Sequence, residues 1–339
     1  PMQTRRFQSF PDFRDHVLDL YLGQYPTFGA TLGLHQYDGI VEDLSAARRE
    51  AYVAAMIAAR ETLRTEFNRT STDALGRFER EALDWKISDE IFRMTELLDF
   101  EWNPMVYADH LELSMLVDRE FAPLAERMKS VLARLRAYPR VLAVARQNLR
   151  AELDRTIVET SLAAFEGRRT SLDELSERSF AQLADDGLRQ ELNEAVQSAK
   201  LAITSFMDAL RTVVLPTARY DSFRLGSELM TKYLRASELI STSLEDLLEQ
   251  GRREMDRLTV ELYRTSAKLD ATLSPQAAFH QYVEADHFTE STVIRATDAM
   301  LERIRTFLID RDIIDVPSEV RCRVTETPPH MRWAFAAMN

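Results

Sequence analysis

Up to Pro317 the chain reads as helix, and then a single stretch with the period of a strand follows. From Val320 to Thr325 apolar and polar side chains alternate, with Val320, Cys322 and Val324 on one side. One strand has unpaired N–H and C=O groups along both edges and cannot stand alone. The pattern predicts a helical domain over residues 1–317. It also predicts a strand at about 318–326 that opens a second unit, cut short at Asn339. Met331, Trp333, Phe335 and Met338 add large apolar groups to that end.

Turn and cap residues set the expected helices. Pro11 and Asp12 open the first, which runs toward Gly23, and Pro26 starts a short segment through Leu34. His35 to Gly39 reads as a turn, with Asp38-Gly39 as its strongest signal. Ser45 caps a helix reaching about Arg69, Asp73 opens another to about Asp99, and Asn103-Pro104 starts a third. Further helices are expected at 119–136, 139–164, 171–184 and 187–214, the last stopped by Leu215-Pro216. After a loop at 217–222 come 224–235, 241–270, 275–284 and 289–310. No repeat and no Pro/Gly/Ser-rich linker interrupts the series, so the expectation is one continuous, predominantly all-α domain of packed antiparallel neighbours.

A formal net charge of -12 argues against nucleic acid or an anionic membrane surface as partner. The arginines are interleaved with Glu and Asp at helical spacing, which reads as solvated helix faces laced by i,i+4 pairs. No run of 18 apolar residues predicts a membrane span. No apolar segment follows Arg5-Arg6, so no signal peptide is expected and the location inferred is cytoplasmic. The one cysteine, Cys322, rules out internal disulfides and multi-Cys metal sites. Flanking Arg321 and Arg323 favour its thiolate, yet it falls on the apolar side of the strand pattern, so a packed structural position is expected.

None of the six histidines lies in HExxH, the helical pair that sets two zinc ligands and a general base on one face. His110 is followed by Leu111-Glu112, which is the wrong spacing. Glu284-Ala285-Asp286-His287 is a lone Glu-x-x-His, where a di-iron bundle needs two plus further glutamates. Asp185-Asp186 is followed by Gly187-Leu188-Arg189 and reads as a helix-terminating turn rather than a magnesium motif. GxSxG, GxxxxGK[ST] and GxGxxG are absent.

Several segments carry a resemblance in order along the chain. Gly33-Leu34-His35-Gln36-Tyr37-Asp38 comes first, then Asn103-Pro104 with Tyr107. Pro139 to Leu142 and Ala145 to Leu149 follow, then Arg219 to Leu229 with Tyr233-Leu234, and finally Thr325 to Pro329. This ordered set resembles the bacterial family called domain of unknown function 885, over nearly the whole chain. That family is similar to helical zinc metallopeptidases. The resemblance implies the helical part of a neurolysin-like zincin fold, followed in relatives by a catalytic-type unit with an HExxPGH helix and a downstream glutamate.

This sequence lacks that helix, so the resemblance implies zinc in a full-length relative and no metal or catalytic residue here. What it implies for this chain is the N-terminal helical wall of a peptidase cleft, inactive alone. The residues expected to face a substrate are Tyr37, Asp38, Tyr107, Arg224 and Glu228. A non-catalytic helical scaffold that binds a peptide or protein partner is the alternative. Expected partners are a peptide substrate, the remainder of a longer protein or a second copy of the chain.

Overall fold

Side-chain caps fix where the longer helices begin. Ser9, Ser45, Asp154, Asp185 and Ser243 each accept a backbone N–H from the following turn, filling one of the bonds a helix start leaves open. The computed structural model describes residues 6–67, 74–175, 177, 180–220, 223–285, 289 and 291–327. The helices, in chain order, are α1 (Phe10–Gln24), α2 (Pro26–Thr31), α3 (Ala46–Thr62), α4 (Ala74–Phe92), α5 (Asp99–Trp102), α6 (Met105–Asp109) and α7 (Ser114–Asp118). They continue with α8 (Leu124–Asn148), α9 (Arg155–Glu174), α10 (Asp186–Ala209), α11 (Gly226–Ser237), α12 (Leu244–Leu269), α13 (Pro275–Ala285) and α14 (Val293–Asp310). Helices α3, α4 and α10 run on into single π-helical turns at Leu63–Phe67, Arg93–Leu97 and Leu210–Val214.

The chain divides into two compact units, one reaching to Ser241 and one starting at Thr242. The first unit is built on α8, whose long contact with α10 is its main helix pair. Met128, Val131, Leu135, Tyr138, Leu142 and Ala145 of α8 are buried, at helical spacing, with Leu192, Ala199, Ile203 and Phe206 of α10 in the same core. In the second unit α12 packs against α13.

Several boundaries differ from the sequence expectation, most clearly in the middle of the chain. Residues 119–136 and 139–164 do not form separate helices, because α8 runs straight through Pro139. Pro139 supplies no N–H to the Leu135 carbonyl, a loss of one bond that the buried face of α8 outweighs. The break falls later. Leu149 turns extended, Arg219 donates its N–H to the Leu153 carbonyl, and Asp154 caps α9. The Asp154–Arg219 pairing is a lone parallel bridge.

The expected strand is also absent. Among the described residues no strand forms, and residues 319–327 are irregular. The alternation is there, but no second strand pairs with it. Ion pairs tie the segment to α14 instead: Arg321 to Glu302 at 2.6 Å and Arg305 to Glu319 at 3.1 Å. Cys322 is exposed rather than packed. Residues 328–339, with Trp333 and its apolar neighbours, lie outside the described residues, as do Asp73 and His287.

A charged side chain sits at the centre of the first unit. Arg134 of α8 is only 2% exposed. Its Nε donates to the Asp38 carbonyl at 2.5 Å, and its terminal nitrogens reach Thr27 Oγ1 at 3.2 Å and the Glu112 carbonyl at 3.3 Å. Burial pulls its pKa down, with Glu42 the largest opposing influence. Glu42 is itself buried. It accepts from the Thr27 N–H at 2.9 Å and hydroxyl at 2.8 Å, and faces His110 Nδ1 at 3.1 Å. Burial pushes the Glu42 carboxyl up, but bonding from His110 and Thr27 carries it below the ordinary range.

Truncating this guanidinium orphans several buried oxygens and leaves a cavity. Arg134→Ala is expected to lose about 3–5 kcal/mol of stability, and Arg134→Met, which keeps the stem, about 1–3 kcal/mol. Urea unfolding reads both, and two unchanged midpoints would contradict this account.

Candidate functional site

A stripe of charge on α4 forms the base of an open cleft. Lys86, Asp89, Glu90 and Arg93 follow one another at i, i+3, i+4 and i+7, which places them on one helix face. The sequence reading made such charges a solvated surface. In the structure Asp89 and Glu90 are 3% and 2% exposed, so that reading fails here. A cleft of about 690 Å³ lies over them, also lined by Tyr21, Tyr25, Trp85, Asp99, Ser237, Glu238 and Leu239. Its walls come from α1, α4, the π turn that begins at Arg93, the start of α5 and the end of α11.

Buried carboxylates require partners, and both of these have several. Glu90 Oε2 accepts from the Tyr25 hydroxyl at 2.8 Å and the Tyr52 hydroxyl at 3.1 Å, while Oε1 accepts from Lys86 at 2.8 Å. Asp89 accepts from Arg93 Nε at 2.9 and 3.0 Å and from the Ser237 hydroxyl at 2.6 Å. Burial, with the Glu90 charge next, pushes the Tyr25 and Tyr52 phenols up, so both remain proton donors. Burial works against the Lys86 ammonium, but Glu90 outweighs it and raises its pKa. Lys86 also lies 4.5 Å from the centre of the Tyr21 ring.

Asp99 is the exception. No ion pair within 4 Å neutralises it among the described residues, and burial raises its pKa against the opposing pull of the Phe100 N–H and Arg93. The backbone on either side of the cleft is strained. Leu98, just before Asp99, has φ 52°, and Leu239 at the end of α11 has φ 55°. The left-handed region disfavours any residue with a Cβ by roughly 1–2 kcal/mol, so the surrounding fold holds both leucines there. The Leu98 N–H bonds the Arg93 carbonyl at 2.9 Å, closing the π turn. Single π turns of this kind often mark functional sites.

The five residues expected from the sequence lie elsewhere. Tyr37 is half-buried and packs over Gly29, where an added Cβ would come 2.7 Å from the Tyr37 ring. Asp38 is buried, with His35 Nδ1 at 3.1 Å from Oδ2. Tyr107 is wholly buried. Its hydroxyl donates to the Phe100 carbonyl at 2.7 Å and accepts from Asn148 at 2.9 Å, and burial pushes the phenol up to about 12. Arg224 and Glu228 are exposed at the start of α11, where Glu228 pairs with Lys232 at 3.3 Å. Gly226 between them has φ 78°, which explains a glycine at that place. Tyr37 and Asp38 are chain neighbours, Arg224 and Glu228 flank the start of α11, and Tyr107 lies in α6. None of the five lines the cleft.

The zinc implied for longer relatives finds no ligand set. Among the described residues, no three His, Cys, Asp or Glu side chains gather in a metal-holding group. No helix of the described chain is long and apolar enough to cross a membrane.

Fold and site together define a predominantly helical protein with an aromatic-walled, charge-lined cleft. The sequence match is more specific. The chain belongs to the family described as "Bacterial protein of unknown function (DUF885)", which matches residues 26–339. No curated protein matches it. Among solved structures, a "putative lipoprotein of unknown function" from Shewanella oneidensis is similar in fold, with a TM-score of 0.71 at 21% identity. The similarity covers 91% of this chain and 59% of that one, so this chain spans well under two thirds of that protein.

Asp99 generates a test of the cleft's electrostatics. Its pKa is raised in the fold, so above the ordinary carboxylate value the folded state retains a proton the unfolded chain has lost. Stability therefore falls as pH rises through that window. Asp99→Asn is expected to be more stable than the parent at pH 7, with the difference closing below the ordinary carboxylate range. Thermal melts between pH 3 and 8 check this, and a variant less stable at pH 7 would refute it.

Proposed function

We propose that this chain forms the helical substrate wall of a peptide hydrolase of the zinc-metallopeptidase kind, and that it holds peptide without cutting it. The observation that carries this reading is the cleft over α4. A volume of about 690 Å³ suits a short segment of peptide. Tyr21, Tyr25 and Trp85 offer apolar faces to side chains, and the charged stripe offers donors and acceptors to a backbone. The Trp85 indole N–H is buried with no acceptor among the described residues. Family membership and the ordered motifs support the peptidase comparison. The sequence holds no HExxH, so no bond-breaking step is assigned to its residues, and their part is to bind and orient.

Isothermal titration with mixed-sequence octapeptides tests the reading. Binding is expected, weakened about tenfold by Trp85→Leu, which removes the indole N–H and its ring face. Mass spectrometry should find the peptides intact after incubation with zinc, whether or not chelator is added. No binding by any octapeptide would overturn the proposal. So would one zinc retained per chain after dialysis, together with chelator-sensitive cleavage.

A further inference from the structure

The cleft is not neutral. Four carboxylates line it, Asp89, Glu90, Asp99 and Glu238, against two cations, Lys86 and Arg93. That leaves two formal negative charges in a recess walled by three aromatic side chains. The two cations are already engaged, Lys86 with Glu90 and Arg93 with Asp89. Glu238 is exposed and, among the described residues, accepts the neutral Tyr233 hydroxyl at 3.0 Å. Asp99, partly buried, has no ion pair of its own among the described residues, and the left-handed Leu98 and Leu239 hold these two acidic residues in place. Unpaired carboxylates beside electron-rich rings are the complement of an ammonium group, which gains both charge-assisted hydrogen bonds and cation–π attraction. An anionic ligand meets repulsion from the same groups.

We propose that the cleft selects a cationic amine, the free α-ammonium of a short peptide, seated against Asp99 and Glu238 and beside the Trp85 wall. This inference rests on the cleft being the peptide-binding site proposed above, and it names the end of the peptide the site recognises. A free amino terminus enters as the counter-charge that Asp99 lacks. The peptide chain then runs over the α4 stripe, where its carbonyl and N–H groups meet side chains that are already paired.

Calorimetric titration of the whole chain with tetra-alanine, its N-acetyl form and n-butylamine separates the two readings. Tetra-alanine is expected to bind, and acetylation to weaken it by about tenfold or more, as loss of a charge-assisted contact does. Asp99→Asn should produce a similar loss for tetra-alanine and little change for the acetylated peptide. Its thermal melt shows whether the variant is folded. Trp85→Leu, which keeps apolar bulk without the ring face, should weaken the free amine more than the acetylated peptide. Equal binding of free and acetylated peptide would overturn the amine inference while leaving the peptide reading standing. Binding of n-butylamine, lost in Asp99→Asn, with neither peptide bound, would uphold the amine site and sink the peptide reading. Tight amine binding untouched by both substitutions would place the amine elsewhere and overturn the inference. No binding of any probe would overturn both.

Discussion

A guanidinium with almost no access to water constrains the architecture of the first unit. Arg134 cannot be solvated, so the chain around it must present oxygen atoms, and it does so from segments far apart in sequence. The stretch that follows α2, up to Glu42, has little regular structure of its own, yet the Asp38 carbonyl and the Glu42 side chain are drawn inward. Glu42 closes the set with Thr27 and His110. The long helix α8 thus does two things. Its apolar face forms the core with α10, and one charged position along it pins the irregular segment that follows α2.

Residues from three of the segments that carry the family resemblance hold architectural positions. Tyr107 and Asn148 come from two separate motif stretches and are hydrogen-bonded to each other at 2.9 Å. Asn148 also holds the Leu44 carbonyl and accepts from Arg49, whose guanidinium lies 4.2 Å from the centre of the Phe100 ring. These contacts lock the end of α8 to the start of α3 and to α5. Gly29 and Tyr37 likewise belong together because the ring lies too close to admit a Cβ. An ordered set of motifs can therefore identify a fold while pointing away from its cleft.

Much of the helical framework was legible because caps and apolar periodicity are local. Ser45 and the Leu215-Pro216 stop could be read directly. The run through Pro139 could not, since the packing that outweighs the lost bond comes from α10, more than one element away. Nor could the irregular course of residues 319–327, because alternation specifies a strand only where a partner edge exists. The cleft was half legible. Lys86, Asp89, Glu90 and Arg93 share one face by spacing alone, but the same spacing describes a solvated stripe. What separates the two is the converging phenols of Tyr25 and Tyr52 from α1 and α3, a tertiary fact with no local signature.

The π turn after α4 has an evolutionary consequence. Each α-helical turn advances the chain by a fixed rotation, so one surplus residue between Arg93 and Leu97 changes the direction in which everything after it faces. Leu98 in its left-handed conformation and Asp99 owe their orientation to that surplus. Loss of a single codon there would straighten the helix by one register and swing the acidic wall away from the aromatic one. Length, as well as identity, is a heritable property at this point in the chain.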